Sequence, residues 1–244
     1  MSSNTDGLDL YCREWGAGER VAVLIHGQVG ESRSWWRVAP VLAERGYRVI
    51  AVDLPGHGHS PSSGKATHDQ FVDALIRSVP ARPDLVIGHS LGGLVLASAE
   101  SALLPGRAVY VDIDFGPFAV LSEDDITRYT AMLAAAKNER TLSWLVRERS
   151  WWSDQDRAVE ARATELFDPA TAVAWRVSLG GMDLTPGPRC RSLMIRADPS
   201  QCVSPQLAGQ LQERGFTVRS VAGAGHSVWY GHFDEFLSAL DGWA

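Results

Sequence analysis

Short apolar runs rich in Val and Ile alternate with longer helical patterns along the first 120 residues of the chain. The run VAVLIHG (21–27) is apolar almost throughout, which is typical of a strand buried on both faces. Further runs of this kind are YRVIAVDLPG, DLVIGHS and RAVYVDID, and helical patterns cover residues 34–46, 67–78 and the segment that follows Ser90. Such alternation predicts an α/β fold with a mostly parallel sheet flanked by helices on both faces.

The alternation stops between residues 121 and 187, where the sequence shows helical patterns and no convincing strand. It resumes with CRSLMIRAD (190–198) and FTVRSVAG (216–223) and ends in the helical pattern HFDEFLSALDGW. We therefore expect one α/β core formed by residues 1–120 and 188–244, with residues 121–187 as a helical cap insertion. The insertion holds four of the nine tryptophans, most of which we expect to pack it onto the core.

Charge and composition limit the classes of partner. The net charge of −6 makes nucleic acid an unsuitable ligand, since phosphate binding needs a basic surface. The N-terminus lacks the pattern of a secretory signal, and no run of eighteen apolar residues predicts a membrane span. Three widely spaced cysteines favour free thiols in a reducing compartment. We expect a cytoplasmic protein that acts on a small molecule with no membrane, metal or cofactor, and its oligomeric state stays open.

The segment GHSLG (88–92) fits the pattern G-x-S-x-G between a predicted strand and a predicted helix. In that setting the serine lies in a tight turn, where a side chain at either glycine would meet neighbouring backbone. The turn would project the Ser90 hydroxyl above the carboxyl edge of the sheet, near the amide groups of a helix N-terminus. We interpret Ser90 as a nucleophile; the alternative is a strand-to-helix turn that simply requires glycine.

A serine nucleophile needs a base, and the base needs an acid that fixes its tautomer. His226 lies in the loop GAGH after the last predicted strand, at the same sheet edge as Ser90. Asp198 follows the preceding strand directly, so we expect it to be the acid. Asp112 and Asp114 also end a strand at this edge and are the alternative acids.

Attack on an ester carbonyl also requires donors for the developing oxyanion. We expect the backbone amide of Leu91, at the start of the helix, and that of Gln28, in the loop HGQVG, to form this oxyanion hole. We further expect His89, Trp151 and Trp152 to line the substrate pocket.

These motifs, together with DLPGHGHS (53–60), occur in an order that resembles the α/β-hydrolase superfamily, in particular its compact members with a helical cap. The resemblance implies an eight-stranded, mostly parallel sheet, a Ser-His-Asp triad and a cap over the pocket. A serine at position 90 argues against relatives that use aspartate there, and the HGGG loop of some lipases and esterases is absent.

The function expected from these residues is a cofactor-independent serine hydrolase acting on an ester, lactone or thioester of a small, fairly apolar molecule. The same constellation also fits carbon–carbon bond hydrolysis, acyl transfer or a lyase step in biosynthesis. A ligand receptor built on the same fold is a third reading, against which the intact triad argues. The fold alone does not choose among them.

Overall fold

The structure is a computed structural model that describes residues 8–244. Within that range, seven strands form one sheet. The strands are β1 (Cys12–Trp15), β2 (Arg20–Ile25), β3 (Tyr47–Val52), β4 (Leu85–His89), β5 (Arg107–Val111), β6 (Arg191–Asp198) and β7 (Thr217–Ala222). Their order is β1-β3-β2-β4-β5-β6-β7, in which β1 runs antiparallel to β3 and all other neighbours are parallel. The mostly parallel sheet predicted from the sequence is confirmed.

The number of strands differs from the eight that the resemblance implied, because residues 8–244 form seven. Within these residues only β1 precedes the first parallel strand, and four residues separate the end of β1 from the start of β2. In the described residues β1 pairs with β3 alone and is therefore an edge strand.

Nine α-helices lie within the described residues, together with a short 3₁₀ helix at Ser32–Trp35. They are α1 (Val38–Glu44), α2 (His68–Ser78), α3 (Leu91–Leu103), α4 (Glu123–Glu139), α5 (Leu142–Glu148), α6 (Asp154–Leu166), α7 (Pro169–Ser178), α8 (Pro205–Glu213) and α9 (Phe233–Ala239). Sequence signals mark several of the starts: Thr67 caps α2 through its side chain, and Asp168 caps α7 ahead of Pro169.

The sheet is buried on both faces because successive strand side chains point to opposite sides. In β2, Val23 and Ile25 pack with helices α2, α3 and α8, whereas Ala22 and Leu24 pack with α1 and α9. The central strand β4 is buried at every position. This double burial explains the continuous apolar runs in the sequence.

Residues 121–187 run between β5 and β6 and contain α4 to α7, with no strand. Polar contacts hold this segment to the rest of the chain. The Trp36 indole donates to Asp156 at the start of α6 over 3.0 Å, and the Trp175 indole in α7 donates to His68 over 3.2 Å. The segment therefore meets the core through side chains on two of its helices.

Among residues 8–244, no helix combines the length and the apolar character that crossing a bilayer would require. The three cysteines of the chain, at positions 12, 190 and 202, are all free thiols.

Candidate active site

Ser90 occupies the turn between β4 and α3 in a strained backbone conformation, with φ 49° and ψ −117°. A positive φ at a non-glycine residue costs roughly 1–3 kcal/mol and persists only where the surroundings enforce it. A Cβ at Gly88 would lie 2.6 Å from the Gly92 carbonyl oxygen, and a Cβ at Gly92 would lie 2.5 Å from the His26 carbonyl oxygen. Both glycines of the motif are therefore required by the close approach of neighbouring backbone.

The side chain that faces His226 is Asp112, which directly follows β5. The His226 Nδ1 atom lies 2.8 Å from Asp112 Oδ2. The other carboxylate oxygen of Asp112 accepts hydrogen bonds from the Ala197 amide at 3.1 Å and from the Ser200 hydroxyl at 2.6 Å. Asp112 is 1% exposed, and its buried charge is thus met by three donors.

The expectation that Asp198 orients His226 is wrong in this structure. Asp198 is the last residue of β6 and is still paired with Ala222 of β7, so the strand fixes the direction of its side chain. It shares a face with Arg196, to which it is bonded at 3.2 Å, and its side chain is 52% exposed. Asp112, by contrast, has left its strand and adopts a φ of 45°. The end of β6 and the loop after it, expected to supply the acid, instead supply two hydrogen-bond donors to Asp112.

The alternative carboxylate Asp114 takes no part in this contact. It is exposed, and its side chain accepts a hydrogen bond from the Gly116 amide over 3.1 Å. Of the two aspartates that the sequence offered as alternatives, only Asp112 reaches the imidazole.

Electrostatics reinforce the contact between His226 and Asp112. Burial works against charge on the His226 ring, but the hydrogen bond that the ring donates to Asp112 and the neighbouring Cys202 outweigh it and raise the pKa of His226 to about 9. Burial also opposes ionisation of Asp112, but hydrogen bonds with His226 and Ser200 hold the pKa of its carboxyl group below the usual value. Both shifts favour a protonated imidazole beside an ionised carboxylate.

His89, adjacent to Ser90, has the opposite character. Burial is the main cause that lowers the pKa of His89 to about 3, so its ring is neutral. Its Nε2 atom lies 2.9 Å from the His226 carbonyl oxygen, and the two rings are 4.7 Å apart. His89 thus holds the loop that carries His226.

The two backbone amides expected to form an oxyanion hole are free to donate hydrogen bonds to a substrate. Within residues 8–244, neither the Gln28 amide nor the Leu91 amide donates a hydrogen bond. His26 sets the position of the Gln28 loop: the Leu54 amide donates to its Nε2 over 2.9 Å, which leaves Nδ1–H to donate to the Gly27 carbonyl over 2.8 Å. A Cβ at Gly27 would lie 3.1 Å from the Ser90 Cβ, so this loop passes close to the elbow.

A cavity of about 380 Å³ opens beside these groups. Core residues Gln28, Asp112 and His226 form part of its wall, and the 121–187 segment forms another part. The three side chains expected in the pocket, His89, Trp151 and Trp152, all line this cavity. Trp152 is buried, whereas Trp151 is 54% exposed.

His226 Nε2 and the Ser90 hydroxyl are not hydrogen-bonded to each other in the described part of the chain. Such a contact commonly tightens only when substrate is bound. The His226 ring is instead held through Nδ1, which also lies 3.7 Å from the Cys202 sulfur.

Asp112, Cys202 and His226 form one group of ligand-type side chains whose atoms lie within 4.8 Å of one another. Two of the three are already hydrogen-bonded together, so a metal ion would have to displace that bond. The expectation that the protein works without metal or cofactor stays a prediction.

Three contributors to the site were not identified from the sequence: Ser200, Cys202 and His26. Ser200 lies two residues beyond the predicted end of β6, where a hydroxyl can reach the neighbouring strand end. His26 was visible as a histidine in a glycine-rich turn, but the hydrogen bond that fixes its tautomer comes from the Leu54 amide, just after β3 and distant in the sequence.

Comparisons with known proteins identify the family and the fold of the chain. The profile of a family described as the alpha/beta hydrolase family matches residues 22–239. Lipase LipV of Mycobacterium tuberculosis is 29% identical over 229 residues, which cover 85% of this chain and 86% of the lipase. A pimeloyl-[acyl-carrier protein] methyl ester esterase of Methylococcus capsulatus is 37% identical over 99 residues, 41% of this chain.

The matched region spans only part of some relatives. It covers 37% of the Methylococcus esterase and 30% of a serine hydrolase-like protein of Dictyostelium discoideum. Among solved structures, a bromoperoxidase from Bacillus anthracis has a TM-score of 0.75 at 24% identity, covering 97% of this chain and 95% of that one. The thioesterase domain from a curacin biosynthetic pathway has a TM-score of 0.72 at 20% identity, covering 97% and 95%. These structures are similar in fold.

Proposed function

The chain belongs to the alpha/beta hydrolase family, and from that premise we propose that it is a serine hydrolase acting on a carboxylic ester, lactone or thioester of a small, fairly apolar molecule. The observation that carries the proposal is the 2.8 Å contact between His226 and the buried Asp112, at the sheet edge where Ser90 occupies its strained turn. Backbone contact joins the two parts, since the Ser90 amide donates to the Val111 carbonyl over 3.0 Å.

In the proposed reaction the Ser90 hydroxyl oxygen attacks the substrate carbonyl carbon while His226 Nε2 takes the hydroxyl proton. The amides of Gln28 and Leu91 donate to the carbonyl oxygen as it becomes negative. The bond to the leaving alcohol or thiol then breaks, and His226 returns the proton to that group. Water attacks the acyl-enzyme by the same route and releases the acid and free Ser90.

Asp112 stays ionised throughout this reaction and stabilises the imidazolium that forms in each half. Its hydrogen bond fixes the proton of neutral His226 on Nδ1, which leaves Nε2 free to accept a proton. The 121–187 segment acts as the cap. The aromatic wall of Trp151, Trp152 and Trp229 favours an apolar acyl or alcohol part.

The test is a panel of 4-nitrophenyl esters of graded chain length, with lactones and thioesters alongside. We expect each ester or thioester to release an acid and an alcohol or thiol in equal amounts, and each lactone to open to one hydroxy acid. Absence of turnover on every ester, lactone and thioester, together with cleavage of a β-diketone, would favour carbon–carbon bond hydrolysis instead.

Replacement of Ser90 by alanine tests the nucleophile. Ser90→Ala should lower turnover by several powers of ten, since members of a triad act as a unit, while circular dichroism shows an unchanged fold. A fluorophosphonate probe should label Ser90 in the wild type and fail to label the variant. Residual turnover above a tenth of wild type, or labelling of another serine, would refute the assignment.

A further inference from the structure

The charged side chains along the cavity are paired with one another, with one exception. Asp112 is bonded to His226, and Arg140 in the wall forms an ion pair with the buried Glu160. Arg149 also lines the cavity, and within residues 8–244 it has no carboxylate partner. The wall contributed by the 121–187 segment therefore carries one uncompensated positive charge.

The Arg149 guanidinium lies among three tryptophans. Its central carbon is 5.3 Å from the ring centre of Trp144, 5.6 Å from that of Trp151 and 5.8 Å from that of Trp152. Its Nη1 donates one hydrogen bond, to the Glu148 carbonyl over 2.8 Å. A guanidinium has five N–H donors, so most of this group's donors are left for a ligand. The aromatic rings hold the cation in place without neutralising it.

The buried side chain of Arg157 holds the loop that carries Arg149 through hydrogen bonds to the loop carbonyls. Arg157 Nη1 donates to the carbonyl of Arg149 at 3.1 Å and to that of Ser150 at 3.2 Å, and it also contacts the Trp152 carbonyl. Gly231 makes room on the other side, since a Cβ there would lie 2.8 Å from the Trp151 ring. Arg149 is thus positioned before a ligand arrives, which reduces the entropy lost on binding.

Tyr230, in the loop after β7, also lines the cavity. Its ring lies 4.7 Å from that of Trp152, the tryptophan that Arg149 also contacts. Its hydroxyl has no exposed surface and lies beside Ser34, so Tyr230 contributes its aromatic ring to the cavity wall.

We propose that the substrate carries one carboxylate group besides its reacting carbonyl, and that Arg149 binds this carboxylate. A single free guanidinium matches a single negative charge, and its planar fork matches the two oxygens of a carboxylate. This inference rests on the proposed function for the reacting end of the substrate. The apolar aromatic wall would contact the carbon chain between the two ends.

The kinetic test compares mono(4-nitrophenyl) esters of C4 to C8 dicarboxylic acids with neutral 4-nitrophenyl esters of equal chain length. A parallel pair, 4-carboxyphenyl and 4-carbamoylphenyl butyrate, places the charge on the alcohol side. We expect the wild type to prefer the anionic member of at least one pair. In Arg149→Met this preference, measured as the ratio of kcat/KM values, should fall about tenfold or more, chiefly through a higher KM on the anionic ester.

The matched control is Arg147→Met, an exposed arginine of helix α5 that lies two residues before Arg149 and does not line the cavity. It should keep the wild-type preference. Arg149→Lys should restore part of it, because the charge returns without the planar fork. An equal preference in wild type and Arg149→Met, or an equal loss in Arg147→Met, overturns the inference.

A binding measurement separates this inference from the proposed function. Calorimetric titration of wild type with hexanoate and hexanamide requires no turnover. Hexanoate should bind at least about tenfold tighter than hexanamide, and Arg149→Met should abolish the difference. If esters are hydrolysed but hexanoate and hexanamide bind alike, the carboxylate site is wrong and the proposed hydrolase activity is supported. If no ester is hydrolysed but hexanoate binds tighter than hexanamide, the carboxylate site is supported and the proposed hydrolase activity is wrong.

Discussion

Replacing Asp112 by asparagine removes one hydrogen-bond acceptor from a carboxylate that meets three donors. The amide oxygen can take the place of Oδ1 and keep the hydrogen bonds from Ala197 and Ser200. The amide nitrogen then occupies the Oδ2 position, 2.8 Å from His226 Nδ1, so two donors face each other. The conflict is relieved when the imidazole proton moves to Nε2, and in that tautomer His226 cannot accept the Ser90 proton.

We therefore expect Asp112→Asn to lower kcat by about three to four powers of ten, the cost of the wrong tautomer in a serine–histidine–aspartate triad. At 1.36 kcal/mol per power of ten, this is about 4–5.5 kcal/mol of lost transition-state stabilisation. The matched control is Asp198→Asn, whose half-exposed side chain contacts Arg196 and should change kcat by less than about threefold, as expected for a surface substitution. Both variants are assayed on one activated ester, with circular dichroism as the check of folding. An inactive Asp198→Asn beside an active Asp112→Asn would refute the assignment of the acid.

Further outcomes follow from the same geometry. The activity should rise with pH through about 9, because His226 must be neutral to act as the base and its pKa is raised to about 9. In Asp112→Asn the midpoint of this pH profile should move to lower pH. A wild-type rate that falls over this range contradicts the assignment of His226 as the base. Gly92→Ala should destabilise the fold by roughly 1–3 kcal/mol in denaturant unfolding, since its Cβ would lie 2.5 Å from backbone oxygen; an unchanged midpoint would contradict the tight turn. Trp152→Ala should lower the free energy of unfolding by roughly 3–5 kcal/mol, because the side chain is only 7% exposed. Trp151→Ala should change chain-length preference more than melting temperature, because the side chain is 54% exposed and lines the cavity; the opposite pattern would mark Trp151 as structural.

The elbow could be predicted from the sequence because its signal is a local pattern. Gly88 and Gly92 are separated by four positions, between an apolar strand pattern and a helical pattern. The clash at Gly88 lies within the turn, whereas the clash at Gly92 is with the end of β2. Strand–helix alternation predicted the parallel sheet, since the period of the apolar residues reports which faces are buried. The boundaries of β4 and β6 agree with the expected runs to within a residue, whereas β5 ends three residues before the end of the run RAVYVDID.

The acid could not be identified in the same way. Asp112 and Asp198 both stand at the carboxyl end of a strand, and the spacing of residues does not distinguish them. The outcome depends on the backbone at each aspartate: Asp198 is still paired with Ala222 inside β6, whereas Asp112 lies one residue past the end of β5 and adopts a φ of 45°. This difference in backbone conformation decides which carboxylate can turn toward His226.

The residues that meet in the cavity wall could not be predicted from their spacing in the sequence. Arg149 and Tyr230 are about eighty positions apart in the chain, and both contact Trp152. Their proximity arises from the packing of the 121–187 segment on the loop after β7, which no local pattern encodes.

Helices α4 to α7 lie between β5 and β6, so they form one insertion between the two stretches of chain that build the sheet. Ser90, Asp112 and His226 all lie outside residues 121–187, whereas Arg149 and Trp152 lie inside them. A segment transplanted from a relative would therefore bring a new cavity wall while the elbow and the bond between His226 and Asp112 keep their own supports. Divergence of such enzymes toward new substrates then requires only that an incoming segment reproduce a few contacts with the core, such as the Asp156 carboxylate that meets Trp36.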